Sequence, residues 1–300
     1  MASNPHPPPD LHRALVELVR SFQPEARVRA DPVGFVHRYE DRRDQEVAAV
    51  LASQLAFGRV ASFATPLGRL LDLADRAGGP WRWVTGFEDS DALAVHDIGY
   101  RWIRGTDIAC ALRGVKTLVQ AGPLSTAFAG PTAEAAMAKG IGALRTAMST
   151  HNNGLWTRGQ RAFVASPDGG SACKRWCMFM RWMVRPADGV DLGLWTHLSP
   201  STLTMPLDTH VHRIALQIGL TERRTANWRT ARDVTRALAR LDPADPVRFD
   251  FALAHLGISG QCRGSLVPAV CGSCALAPLC VVTRGRGIPA PESDQKPTPM

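Results

Sequence analysis

Residues 108–120 read IACALRGVKTLVQ, and this stretch decides the fold class. Its apolar residues recur at intervals of three and four, which is the period of a helix with one buried face. The same period occurs in LHRALVELVRSF (11–22), EVAAVLASQLAF (46–57) and TPLGRLLDLAD (65–75). Long alternating runs of β-branched residues, which are typical of strands, are missing. The sequence therefore predicts an all-α fold.

The composition excludes several classes of protein. The chain has 300 residues and is 45% apolar, which is enough to bury a core and excludes wholesale disorder. No run of about 18 apolar residues is present, and the start lacks the apolar region of a secretory signal. We expect a cytoplasmic protein without a membrane partner. The net charge of +8 weakly favours a polyanionic partner.

Four of the seven cysteines lie close together in QCRGSLVPAVCGSCALAPLC (261–280), with the spacing C-x8-C-x2-C-x5-C. Four thiolates of this kind bind either a [4Fe–4S] cluster or zinc. A zinc ribbon usually has two Cys-x2-Cys knuckles, and this segment has one, so the cluster is favoured and zinc is the alternative. The predicted ligands are Cys262, Cys271, Cys274 and Cys280. The remaining cysteines, Cys110, Cys173 and Cys177, are expected to be buried without a metal.

A second motif, LDTHVHRI (207–214), lies upstream of the cysteine segment. Together the two motifs resemble the helix-hairpin-helix (HhH-GPD) superfamily of DNA glycosylases, in particular endonuclease III and MutY with their C-terminal [4Fe–4S] loop, and they suggest a bacterial branch of it. The first cysteine gap is eight residues here, where the superfamily usually has six. The resemblance implies a two-lobed helical architecture, an iron–sulfur loop with a structural role, and duplex DNA as the partner.

The acidic motif matches the superfamily segment V-D-T-H-(I/V)-x-R, in which the Asp is the catalytic carboxylate. The resemblance therefore assigns that role to Asp208. A carboxylate there would stabilise positive charge on the sugar as the base leaves, or would orient a nucleophile. A helix is expected to begin at the next residue, so a plain N-cap is the alternative role of Asp208.

The stretch SACKRWCMFMRWMVR (171–185) predicts a helix, and the turn PDGG (167–170) precedes it. The turn takes the place of the superfamily hairpin, although it lacks the usual L-P-G-x-G pattern. Bifunctional members carry at this place the lysine that attacks the sugar, which makes Lys174 a candidate nucleophile. A phosphate-binding cation is the alternative. The predicted phosphate contacts are Arg59, Gly169, Gly170, Ser171, Arg175, Arg181 and Arg185.

An N-terminal stretch, EVAAVLASQLAFGR (46–59), resembles the superfamily helix of the type LLSAQATD. The Gln of that helix fills the gap that a flipped base leaves in the duplex, and Gln54 matches it. A surface glutamine at a helix end is the alternative. Tyr100, Trp102 and Arg104 are candidates for lining a base pocket, and a place in the core is the alternative for the two aromatic residues.

The predicted organisation has five parts. Residues 11–44 and 166–261 form a lobe that carries the hairpin, Lys174 and Asp208, and residues 45–165 form a helical barrel lobe. The four-cysteine loop covers 262–283. Residues 1–10 and 284–300 are expected to be disordered because they are rich in proline and polar residues.

The predicted function is that of a nucleoid-associated base-excision glycosylase. It would cleave the N-glycosidic bond of a damaged or modified base in double-stranded DNA, with AP-lyase activity if Lys174 is the nucleophile. Two alternatives stay open. One is an enzyme of the same fold that acts on hypermodified bases by other chemistry, and the other is an iron–sulfur nucleic-acid-binding protein without catalysis.

Overall fold

The protein is described by a computed structural model that covers residue 8 and residues 10–21 and 27–284. Within these ranges the regular structure is helical and contains no strand, which confirms the all-α prediction. No helix in the described ranges is long and apolar enough to cross a membrane. The termini predicted to be disordered, 1–10 and 284–300, lie outside the described residues except for residues 8, 10 and 284.

Fifteen α-helices are numbered here in chain order over the described residues. They are α1 Leu11–Arg20, α2 Val33–Val36, α3 Arg42–Leu55, α4 Val60–Arg76, α5 Pro80–Thr85, α6 Asp89–Ala94, α7 Gly105–Ala121, α8 Leu124–Ala127, α9 Ala133–Ser149, α10 Arg158–Phe163, α11 Lys174–Val184, α12 Thr209–Gln217, α13 Trp228–Ala239, α14 Asp250–Ile258 and α15 Pro268–Cys271. Short 3₁₀ turns lie at Pro167–Gly169, Pro200–Thr202 and Ala277–Leu279.

The chain divides into two compact units. One unit comprises Met1–Phe22 and Leu207–Met300, and the other comprises Gln23–Pro206. The two lobes predicted from the sequence have other boundaries, at 44/45 and 165/166. That division remains a prediction. The two units are described separately below.

The core of the 23–206 unit is built on two helix pairings, α7 along α9 and α3 against α11. An aromatic group fills its centre, where the Phe128 ring centroid lies 5.3 Å from both Phe179 and Trp195. Gly140 of α9 faces this group, because a Cβ at this position would lie 2.2 Å from the Phe128 ring. Burial of these large rings supplies much of the driving force for folding this unit.

The segment that follows α11 is bound to this core by buried polar contacts. Arg181 Nε of α11 donates to Asp191 Oδ1 at 3.0 Å, and both side chains are buried. The indole Nε1 of Trp195 donates to Glu46 Oε1 of α3 at 2.6 Å. The segment is therefore part of the core of this unit.

In the other unit, α12 packs closely against α14. Gly257 of α14 permits this approach, since a Cβ there would lie 2.5 Å from the Cβ of His210. The edge of the His12 ring of α1 meets Phe249, next to the start of α14, with 6.4 Å between the ring centroids. The position of α12 matters because the acidic motif lies at its start.

Candidate functional site

Asp208 is the N-cap of α12. Its backbone is extended, and its Oδ1 accepts hydrogen bonds from the amides of His210 at 2.9 Å and Val211 at 2.8 Å. The N-cap role expected from the sequence is confirmed. These bonds hold the half-exposed carboxylate at the positive end of the helix dipole. A carboxylate held in this way is oriented before any substrate binds.

The other end of α12 is attached to the cysteine segment. The guanidinium of Arg213 donates to the carbonyl oxygen of Cys262 at 2.6 Å, and Gln217 Nε2 donates to the carbonyl oxygen of Gly264 at 3.0 Å. The Val281 amide donates back to the carbonyl oxygen of Gln217 at 2.9 Å. The acidic motif and the cysteine segment are thus joined by a single helix of nine residues.

All four predicted cysteine ligands line one cavity, which has a volume of about 40 Å³. Burial raises the pKa of the Cys274 thiol, and the nearby thiols of Cys262, Cys280 and Cys271 raise it further. The cavity is otherwise mostly apolar, with a wall that includes Ile214, Ile218, Leu256, Val267, Val270 and Leu276.

This donor set fits a group bound through sulfur. Soft thiolates prefer zinc or iron–sulfur clusters, and a mostly apolar wall shields such a group from water. In the described part of the chain, no three His, Cys, Asp or Glu residues are arranged as a site for a single ion. The other three cysteines, Cys110, Cys173 and Cys177, are buried elsewhere, as the sequence predicts.

In the 23–206 unit, the turn before α11 is open to solvent. Gly169 and Gly170 are exposed, and a Cβ at either position would meet nothing within 4 Å. The Ser171 hydroxyl accepts from the amide of Cys173 at 3.1 Å, and Cys173 adopts a left-handed conformation with φ 49° just before the helix. The turn therefore presents backbone next to the start of a helix, which is a suitable place for a phosphate.

Lys174 is the first residue of α11 and is half-exposed. Its Nζ lies 3.4 Å from the Sδ of Met178, one turn further along the helix. The amine therefore lies beside the Met178 thioether, at the N-terminal end of α11. This position is compatible with both roles considered for it, a nucleophile and a phosphate-binding cation.

The three arginines predicted to follow Lys174 as phosphate contacts are engaged inside the protein. The Arg175 guanidinium donates to the carbonyl oxygens of Gln54 and Ala162, and burial lowers its pKa to about 10. Arg181 is only 3% exposed and pairs with Asp191. Arg185 pairs with Asp188 at 2.9 Å and also with Asp191.

The burial of Arg181 contradicts its predicted role as a phosphate contact. Helical periodicity places Lys174, Arg181 and Arg185 on one side of α11. The segment after α11 covers the C-terminal end of that side. Its carboxylates, Asp188 and Asp191, pair with the two arginines there. Arg181 therefore faces the interior rather than solvent.

Gln54 is fully buried, at 0% exposure. Its Nε2 donates to the hydroxyl of Ser53 at 3.3 Å, and its Oε1 has no hydrogen-bond partner. The Gln54 side chain, which the sequence predicts to fill the gap beside a flipped base, is therefore buried in the core around α3. The exposed residues of this region are Gly58 and Arg59, which follow α3.

A cluster of aromatic rings and guanidinium groups lies beside Gly58. The arginine–aromatic cluster consists of Phe57, Tyr100, Trp102, Arg101, Arg158 and Arg175. Phe57 and Trp102 stack with 4.9 Å between centroids and 29° between planes. The Arg158 guanidinium lies 4.4 Å from the Trp102 ring, and that of Arg175 lies 5.2 Å from the Phe57 ring. Arg101 and Arg158 are exposed, while Trp102 is half-exposed.

Only part of this cluster is predicted from the sequence, namely Tyr100 and Trp102 as pocket residues and Arg175 as a phosphate contact. Phe57, Arg101 and Arg158 are not predicted. The sequence feature that indicates Phe57 and Arg101 is the alternation of aromatic and basic residues in FGR (57–59) and GYRWIR (99–104). Arg158 is far away in sequence, so only the fold brings it to Trp102.

Comparison with models of protein families gives a match. A family model described as "Protein of unknown function (DUF2400)" matches residues 31–259, which include Gln54, Lys174 and Asp208 and end just before Cys262. No curated protein and no solved structure matches the chain. The matched residues make up about three quarters of the chain, and the chain therefore belongs to the DUF2400 family.

Proposed function

We propose that the protein binds double-stranded DNA and cleaves the N-glycosidic bond of a damaged or modified base, as an HhH-GPD-type glycosylase. The observation that carries this proposal is helix α12. It begins at the N-cap Asp208, and residues of its last turn line the four-cysteine cavity. A single helix of nine residues, about 13 Å long, therefore connects Asp208 with the four-cysteine cavity.

Asp208 is the proposed catalytic carboxylate. One oxygen, Oδ1, is occupied by the two helix amides, which fixes the orientation of the carboxylate. A carboxylate held in a fixed position stabilises the positive charge that develops on the deoxyribose as the bond to the base breaks. The base leaves with the bonding electron pair, and the nucleophile attacks C1′.

Lys174 is the proposed nucleophile of a bifunctional reaction. Its neutral Nζ would form a bond to C1′ while the bond between C1′ and the base breaks, and loss of the Nζ protons with opening of the sugar ring would give a Schiff base. If water attacks instead, the products are the free base and an intact abasic site. Lys174 is then a phosphate contact.

The arginine–aromatic cluster is the proposed contact with the DNA strand. Exposed guanidinium groups suit phosphates, and aromatic faces stack on unpaired bases without sequence preference. Arg101 and Arg158 combine exposure with proximity to these rings, and the exposed Arg59 lies two residues after Phe57 in the sequence. The buried Arg181 is left out of this proposed surface.

Cys262, Cys271, Cys274 and Cys280 are the proposed ligands of a [4Fe–4S] cluster, with zinc as the alternative. The bound group would supply structural rigidity to residues 262–280. Because Arg213 and Gln217 bind the backbone of this segment, the loop would in turn support α12.

The test is covalent trapping. The anaerobically purified full chain is incubated with duplexes that each carry one damaged or modified base, and borohydride is added. We expect a protein–DNA adduct on one duplex, no adduct with Lys174→Ala, and an unchanged adduct with Lys139→Ala. Lys139 is an exposed lysine of the same unit, so it controls for general loss of positive charge.

Two other results decide between the alternatives. Release of free base that leaves an alkali-labile site, without an adduct, supports a monofunctional glycosylase and assigns Lys174 to phosphate binding. DNA binding with neither adduct nor base release contradicts the glycosylase proposal. It favours the alternatives of other modified-base chemistry or binding without catalysis.

A further inference from the structure

The outer side of helix α13 carries a stripe of arginines. The arginine stripe consists of Arg229, Arg232, Arg236 and Arg240, the last of which is the C-cap, and all four are exposed. Steps of three and four residues keep them within one narrow arc of the helix. The stripe is about 16 Å long, which is roughly the axial length of five base pairs.

The stripe concentrates the charge of the chain. Residues 222–240 contain six arginines and two carboxylates, a net charge of +4, whereas the whole 300-residue chain has +8. Other helices of the chain have fewer exposed basic residues in a row or mix both signs of charge. The exposed side of α4, for example, carries Asp72 and Asp75 together with Arg69 and Arg76. The stripe is therefore more than an ordinary solvated face.

The acidic residue of α13 lies beside the stripe and is already paired. Asp233 is 8% exposed and accepts from the guanidinium groups of Arg223 and Arg236. Arg223 precedes α13 and also contacts α12, because its backbone carbonyl oxygen lies 2.7 Å from Nε2 of His212. The stripe is thus connected by polar contacts to the helix that begins at Asp208.

The chemistry of the stripe selects its partner. A membrane-surface helix needs an apolar face for the lipid, but the apolar side of α13, with Trp228, Val234 and Leu238, is buried in the protein. A protein interface needs an apolar or aromatic centre, and the stripe presents guanidinium groups along its whole length. Regularly spaced guanidinium groups suit a row of phosphates.

We propose that the arginine stripe binds the phosphate backbone of duplex DNA next to the target nucleotide, as a second contact surface of the protein. This inference rests on the proposed function, because it takes the DNA duplex as the partner. The stripe would contribute affinity without sequence preference, and that affinity would depend on salt through the release of counterions.

The test is the salt dependence of duplex binding by the full chain. The triple variant R229Q/R232Q/R240Q removes three charges and keeps Arg236, which pairs with Asp233. Each lost phosphate contact reduces the slope of log K against log salt by about 0.9. Between 50 and 200 mM salt, the wild type should therefore lose about 40-fold more affinity than the variant.

A matched variant controls for net charge. R69Q/R76Q/R82Q also removes three exposed arginines, from α4 and α5, and should keep the slope of the wild type. Equal slopes for the wild type and the stripe variant would overturn the inference while leaving the proposed function intact. A wild type that binds no duplex, but binds RNA, anionic vesicles or an acidic peptide through the stripe, would overturn both.

Discussion

Substitutions at Asp208 separate a catalytic carboxylate from a helix cap. Asn and Ser are good N-caps, whereas Ala is not. Asp208→Asn and Asp208→Ser should therefore preserve α12, and Asp208→Ala should weaken its start. All three remove the carboxylate, so all three should lose catalysis if Asp208 has the proposed role.

The structural part of this prediction has a defined magnitude. Asp208 Oδ1 accepts from two amides, those of His210 and Val211. Loss of such a cap costs about 1 kcal/mol of stability, within a range of roughly 0.5–2. A cost of about 1 kcal/mol corresponds to about fivefold faster hydrogen exchange at these two amides, which NMR or mass spectrometry measures directly. The Asn and Ser variants should exchange like the wild type.

The catalytic part is measured as base release at saturating duplex. Loss of a catalytic carboxylate reduces the rate by about 100-fold or more, so all three variants should fall by at least this factor. If Asp208→Asn keeps the wild-type rate and only Asp208→Ala is impaired, then Asp208 acts as a helix cap alone. That result would refute the assignment of the catalytic carboxylate.

Three further predictions concern the metal centre and the buried polar contacts. Cys274→Ser should abolish bound iron and sulfide, or bound zinc, measured by elemental analysis of protein purified without oxygen. Arg181→Met should lower the free energy of unfolding by about 1–3 kcal/mol in urea, because the buried carboxylate of Asp191 loses this partner and keeps Arg185. Burial raises the pKa of Glu46 above its ordinary value of 4.5, so its folded form binds protons more tightly than its unfolded form. As the pH rises from 4.5 through that raised pKa, the wild type should lose stability relative to Glu46→Gln, which keeps an acceptor for Trp195.

Each of these predictions has a contrary outcome, and the first two have a control variant. Cys110→Ser removes a buried thiol outside the cavity and should keep the metal, and retention of metal by Cys274→Ser would contradict the ligand assignment. Asp89→Asn breaks an exposed pair with Arg113 and should cost less than about 1 kcal/mol. A cost for Arg181→Met no larger than this would argue against a strong buried pair. Parallel stability curves of Glu46→Gln and the wild type between pH 4 and 7 would contradict the pKa direction.

The helices and the cap of α12 follow from local sequence. Apolar periodicity in IACALRGVKTLVQ (108–120) correctly predicts α7, because the amphipathic period is a property of neighbouring residues. Asp208 is correctly predicted as an N-cap, since the bonds it accepts come from amides two and three residues away. The spacing of the four cysteines likewise brings them to one cavity within a short segment.

Tertiary structure decided which of the polar residues face solvent. The period of α11 places Arg181 and Lys174 on the same side of the helix, but periodicity does not show which side another segment covers. The segment that carries Asp191 folds back on that face and buries Arg181. Likewise, Trp102 meets Arg158 only because helices distant in sequence pack together. Local sequence determines the helical period and the helix caps, because both depend on residues within one or two turns of each other. The exposure of a side chain depends on contacts between residues far apart in sequence, and only the folded chain forms these contacts.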